Sequence, residues 1–235
     1  MARTLVMVGA GPGRGMGVAR AFGRHGFRVG LVARTKDRLD AQVAELAGLG
    51  IPAAAFPADI RDRDALAVAL AQATETLGPP DVLDYAPGPS GPVTHATQTT
   101  AASAAAQLDL YVRGAITAVG QVLPDMLARG SGTFLITTGP AATTPTPSHA
   151  NEGLAMAALH HYARALHTEL TPQGIHVAAV TLTAPPTSPT TADTIGAAYY
   201  DLHERRTPAE AVIGPTGVLA PSRQDMEGGG TDSGR

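Results

Sequence analysis

The chain is predicted to be an α/β protein built on one doubly wound parallel sheet with helices on both faces. Short runs rich in Val, Ile and Leu alternate with stretches whose apolar residues recur at helical spacing. The first apolar run passes straight into a glycine-rich turn and then a helix. A length of 235 residues suits one domain of this kind.

Residues 4–8 (TLVMV) read as a buried strand. Gly9-Ala10-Gly11-Pro12-Gly13-Arg14-Gly15 cannot lie inside a helix or strand. Met16, Ala19, Ala21 and Phe22 then mark a helix that ends near Gly26, and 27–33 (FRVGLVA) is a second strand closing on Arg34. Leu39, Val43, Leu46 and Leu49 predict a helix over 37–49, broken by Gly50 and Pro52. A weak strand over 53–57 leads to a helix over 62–77, stopped by Gly78-Pro79-Pro80. Residues 81–85 (DVLDY) form the fourth strand, and 101–129 one long helix or two. A strand over 133–138 (TFLITT), a helix over 151–170 and a strand over 175–182 (IHVAAVTL) follow. After a loop dense in Pro, Thr and Ser (183–191) come a helix over 192–206 and a last strand within 211–219. The domain is expected to span 1–220. Residues 221–235 offer little apolar surface to bury and are expected to be disordered.

Composition excludes several classes. The net charge is −3 and no basic block occurs, which argues against a nucleic-acid surface. There is no cysteine, so disulfide and thiol chemistry are absent. His160, His161 and His167 lack a metal-binding spacing, and no G-x-S-x-G elbow is present. The N-terminus lacks a signal-peptide pattern and no apolar run reaches membrane-spanning length, so a cytoplasmic protein without membrane contact is expected.

A strand that ends in a tight turn before a helix presents unpaired N–H groups at the positive end of that helix, which favours an anion. The spacing GxxxGxG fits in two registers, Gly9-Gly13-Gly15 and Gly11-Gly15-Gly17. The first is preferred because Gly9 directly follows the strand. With VGAGPGRG, an Ala-rich helix and HGFRVGLVAR, the chain resembles the short-chain dehydrogenase/reductase family over about residues 4–185, and hence a Rossmann-type fold. The resemblance implies a dinucleotide held by Gly9, Gly11, Gly13 and Gly15. Arg34, after the second strand, implies NADP(H) over NAD(H), and Arg14 could add positive charge near the phosphates. Asp59 and Ile60 fall where the family contacts adenine, although Asp59 reads equally as a helix N-cap. Ala86, Pro87 and Gly88 fall where a turn passes the cofactor ribose. Tyr85 and Ala86 replace the asparagines usual there, so that side-chain bracing is expected to be lost. The family further implies a lid over 183–191, a small-molecule substrate and a homodimer or homotetramer.

Family members that reduce carbonyls use a Ser, an Asn, and a Tyr and Lys four residues apart on the helix after the fifth strand. The only lysine here is Lys36, and no tyrosine has a lysine four residues later. Thr138 takes the Ser position and Tyr111 the Asn position. Glu152 and Met156 take the Tyr and Lys positions, or Asn151 and Ala155 in a register shifted by one. Three readings follow. An atypical NADPH-dependent oxidoreductase of a carbonyl or enone would use Glu152, His149 or Tyr111 as its acid. A non-redox enzyme (dehydratase, isomerase or cyclase) would use Glu152, His149 and Thr138. A non-catalytic protein would only bind NADP(H). The first is preferred. Against it stand plain structural roles: Glu152 favouring a helix dipole, His149 in a loop, Tyr111 in the core.

Overall fold

In the computed structural model, which describes residues 2–217 and 219–221, the apolar runs pair into one eight-stranded sheet of order β3-β2-β1-β4-β5-β6-β7-β8. The strands are β1 (Thr4–Val8), β2 (Arg28–Ala33), β3 (Ala53–Pro57), β4 (Val82–Tyr85), β5 (Gly132–Thr138), β6 (Ile175–Leu182), β7 (Glu210–Ile213) and β8 (Leu219–Pro221). The first seven run parallel, and β8 returns antiparallel beside β7. The single strand expected near the C-terminus is therefore two. Gly214, Pro215 and Gly217, the last with φ 68°, turn the chain between them. Pro221 pairs with Ala211, so the sheet reaches one residue into the segment expected to be disordered; the rest of that segment lies outside the described residues.

Alternation along each strand sorts the core into two layers. Val6, Val8, Leu83 and Tyr85 face α3 (Arg63–Leu77), α5 (Gly114–Arg129) and α6 (Ala150–Leu170). Leu5, Met7 and Val82 face α1 (Arg14–Arg24), α2 (Lys36–Gly48) and α7 (Pro189–Arg205). Burial of both faces explains why the strands read as continuous apolar runs rather than alternating ones.

The region expected to be one long helix or two is α4 (Ala101–Leu108), a π-helical turn at Asp109–Arg113, and α5. The wide turn has a local cause. Tyr85 is fully buried and its hydroxyl donates to the Leu110 carbonyl. Gly114 makes room for it, because a Cβ there would lie 2.4 Å from the Tyr85 oxygen. Where the asparagines' bracing is expected to be lost, Tyr85 instead ties the end of β4 to this helical turn. Helix α7 begins at Pro189, three residues earlier than predicted, because Ser188 accepts from the Thr191 N–H and caps it.

Candidate functional site

The crossover direction reverses between β1 and β4, and ligands of doubly wound sheets bind beyond the strand ends at such a point. Gly9 sits there with φ 92°, and a Cβ on it would lie 2.4 Å from the Ala86 carbonyl oxygen. Only glycine allows this approach. Gly13 is the N-cap of α1 and supplies no side-chain cap, so the first-turn N–H groups stay free for a ligand. Gly9 and Gly13 of the first register thus sit at the two ends of the turn between β1 and α1. Gly17, from the other register, serves packing: a Cβ on it would lie 1.9 Å from the Ala192 carbonyl of α7.

A cleft of about 560 Å³ runs from Gly9, Gly11 and Pro12 across the ends of β2 and β3. Arg34, Asp59, Ile60 and Gly88 line it, whereas Ala86 and Pro87 are buried beside Gly9. The Asp59 carboxylate accepts from the Arg61 N–H at 3.0 Å, and the helix N-cap is Asp62, which accepts from the Ala65 N–H. The cap reading of Asp59 is thereby corrected.

Arg14 is corrected more sharply. Its Nη1 donates to both oxygens of Asp84, at 2.9 and 3.2 Å, inside the α1–α7 layer. The guanidinium is committed to a buried carboxylate and is not a free charge for phosphates. Burial pushes the Asp84 carboxyl above its ordinary range, with Arg14 pulling it back. Burial likewise opposes the Arg14 charge, but Asp84 and then Tyr199 outweigh it and hold the guanidinium's pKa above its usual value. A guanidinium does not discharge in a protein, so Arg14 keeps its charge beside Asp84.

Three cleft residues went unread in the sequence. Arg38 is exposed at the mouth, four residues beyond Arg34, and neither guanidinium has a hydrogen-bond or ion-pair partner among the described residues. Gln42, one helical turn further, is 6% exposed, and its Oε1 has no hydrogen-bond partner among the described residues. Their i, i+4 spacing was a legible signal. Arg61 donates to the hydroxyl and carbonyl of Ser90 and ties down the loop after β4, a long-range contact that leaves no pattern in sequence.

On the other side of the switch point, the π turn and α6 bring two of the candidate catalytic residues together. Tyr111, 1% exposed, donates its hydroxyl to Glu152 Oε1 at 3.0 Å. Burial, and then the neighbouring Glu152, push the phenol's pKa far above its ordinary value. Asn151 instead pins the loop after β4: it accepts from the Thr94 N–H at 2.9 Å and donates to the Pro92 carbonyl at 3.1 Å. Thr138 is buried, and its hydroxyl points to the Val180 carbonyl at 3.5 Å. His149 hydrogen-bonds Ser148 at 3.0 Å and lines a separate, largely apolar cleft of about 370 Å³ with Pro147 and Leu154. No hydrogen bond joins Thr138 or His149 to the Tyr111–Glu152 pair among the described residues. Among those residues, no helix is long and apolar enough to cross a membrane. No group of three or more His, Asp or Glu residues there could hold a metal ion.

A switch-point glycine turn, a β2-terminal arginine and a helix after β5 facing the same edge define a dinucleotide-fold class of protein. The chain belongs to the short chain dehydrogenase family, whose model matches residues 3–194. It is 29% identical over 178 residues to glycine betaine reductase ATRR of Emericella nidulans, covering 76% of this chain and 14% of that protein. A short chain dehydrogenase of Pseudocercospora fijiensis is 28% identical over 182 residues, 74% of this chain and 56% of its own length. The chain thus spans only part of these relatives. Among solved structures, an actinorhodin polyketide ketoreductase variant determined with NADPH superposes with a TM-score of 0.74 at 25% identity, covering 86% of this chain and 75% of that one.

Proposed function

We propose that this protein is an NADP(H)-dependent oxidoreductase acting on a small-molecule carbonyl or enone, with Glu152 in place of the family's tyrosine. One observation carries the cofactor reading: two arginines without partners among the described residues, Arg34 and Arg38, stand at the mouth of a cleft that begins at an uncapped helix N-terminus. The residues present suit a phosphorylated dinucleotide. Gly9 and Gly13 leave the backbone open to a pyrophosphate, the guanidiniums suit a ribose 2′-phosphate, and Asp59 and Ile60 offer an edge and a face to adenine. The names of the relatives, a reductase and a dehydrogenase, favour redox chemistry over the other readings.

When bound, a nicotinamide supplies the hydride, and the protein's part is to orient the carbonyl and manage one proton. Tyr111, with its pKa pushed so far up, stays a phenol and holds the Glu152 carboxyl by a hydrogen bond. Proton transfer at this pair therefore falls to Glu152, with Tyr111 as its positioning partner. Exposed Ile116 and Leu127 on α5 and Leu154 on α6 suit a homodimer through these helices.

Titration with NADPH and NADH tests the cofactor. Arg34→Ala is expected to weaken NADPH by roughly ten-fold or more and leave NADH unchanged. Equal loss for both would remove the phosphate role. With a carbonyl panel, Glu152→Gln is expected to cut turnover roughly 100-fold. Full activity in that variant would remove Glu152 as the acid.

A further inference from the structure

We propose that Arg14, Asp84 and Tyr199 form a buried clamp that fixes the glycine turn to helix α7, so that nucleotide binding at the turn is felt in α7. Arg14 is the first residue of α1, Asp84 lies on β4, and Tyr199 lies on α7. The Arg14 side chain is 10% exposed and that of Asp84 is 0%. The guanidinium carbon stands 5.1 Å from the centre of the Tyr199 ring, and the Tyr199 hydroxyl hydrogen-bonds Thr137 of β5 at 2.9 Å. Four elements thus meet at one ion pair.

Stability is a poor reason for it. The surrounding layer is apolar, and apolar residues of similar volume commonly replace a buried ion pair without loss. The start of α1 supplies a better one. That helix has neither a side-chain cap nor an acidic residue in its first turn. A cap would consume the N–H groups that a phosphate needs. Arg14 anchors the turn through its side chain and leaves those N–H groups free. The anchor also reaches α7 at other points. A Cβ on Gly196 would lie 2.2 Å from the Gly17 carbonyl oxygen, so the two helices touch backbone to backbone. A Cβ on Gly13 would lie 3.2 Å from Pro186, in the loop leading into α7.

The clamp rests on the dinucleotide reading, and its test separates the two. The double variant Arg14→Met/Asp84→Val removes both charges and leaves no carboxylate stranded. It is expected to melt at or above the parent's temperature, yet to bind NADPH roughly ten-fold more weakly. Arg14→Lys, which keeps a cation beside Asp84, is expected to retain most of the affinity. A stable double variant that binds like the parent overturns the clamp alone. A parent that binds neither NADPH nor NADH defeats the site and the clamp together. Hydrogen exchange on the unmodified chain gives a second arm, independent of whether the variant folds. Adding NADP⁺ is expected to slow exchange both at 14–17 and at 196–200, and slowing at the turn alone overturns the proposal.

Discussion

The two edges of the sheet treat their polar groups in opposite ways. At the N-terminal edge the protein largely satisfies itself, although Arg28 Nε and His176 Nε2 are buried there without a partner among the described residues. Asp81 accepts from the Thr4 N–H at 2.7 Å, the Thr4 hydroxyl donates to the Leu77 carbonyl at 2.8 Å, and His203 Nδ1 pairs with the Thr133 hydroxyl at 2.9 Å. Arg206 closes that edge by donating to the carbonyls of Gly132 and Gly174. At the C-terminal edge Arg34, Arg38 and the Gln42 carbonyl have no partners among the described residues, beside a helix with no side-chain cap. Groups closed on one another contribute to stability; groups left open are available to a ligand. Changes at the first edge are therefore expected to move the melting temperature, and changes at the second to move affinity.

Acid provides the largest effect that would break this contrast. Burial pushes His176 and His203 down to about 4, with His167 adding to the shift at His176. In the unfolded chain both take a proton near the ordinary value of about 6.5. Between those values the unfolded state binds more protons, so stability falls as the pH drops from about 6.5 to about 4, by up to about 3 kcal/mol for each histidine. Above about 6.5 both are neutral in either state and stability does not depend on them. Denaturant melts from pH 8 to 4 check this, and His176→Val is expected to flatten the slope above pH 5. Nucleotide affinity per folded molecule is expected to stay level over the upper part of this range. Affinity falling in step with stability would mean that the two edges are not independent.

The sequence revealed the two edges unequally. Strands and helices were legible because burial on both faces produces unbroken apolar runs such as TLVMV and IHVAAVTL. The glycine turn was legible because it is local: Gly9, Gly13 and Gly15 announce their spacing without reference to the rest of the chain. Arg14 was misread for the same reason. Beside a phosphate-type turn it looks like a phosphate ligand, and only the fold brings Asp84, seventy residues away in sequence, within 2.9 Å of it. Tyr85 was likewise read as a loss, because its target is a carbonyl exposed only by a wide helical turn. The Tyr111–Glu152 contact joins two helices across 41 residues and leaves no trace in spacing.

A smaller effect sharpens the description of the open edge. Arg38 is solvent-exposed, so its attraction for a phosphate is screened and is worth about 1 kcal/mol, or roughly five-fold in affinity. Arg38→Ala is expected to weaken NADPH by that factor, with NADH affinity and melting temperature unchanged. The effect is expected to shrink as salt is raised, which separates it from a change in loop shape.

Gln42→Leu is the finest probe, because it asks for two opposite signs from one variant. A buried amide carbonyl without a donor destabilises the nucleotide-free protein, and an apolar side chain of similar size relieves that cost by up to about 1 kcal/mol. If the carbonyl is held for the ligand, the donor is a hydroxyl or amine of the adenosine half, since a phosphate has none to offer at neutral pH. The variant is then expected to melt higher without nucleotide and to gain less on adding NADPH than the parent does. NADH shares that half of the cofactor and is expected to show the same loss, unlike the arginine variants. A higher melting temperature with undiminished nucleotide stabilisation would instead place Gln42 among the groups the fold merely tolerates. The open edge would then end at Arg38.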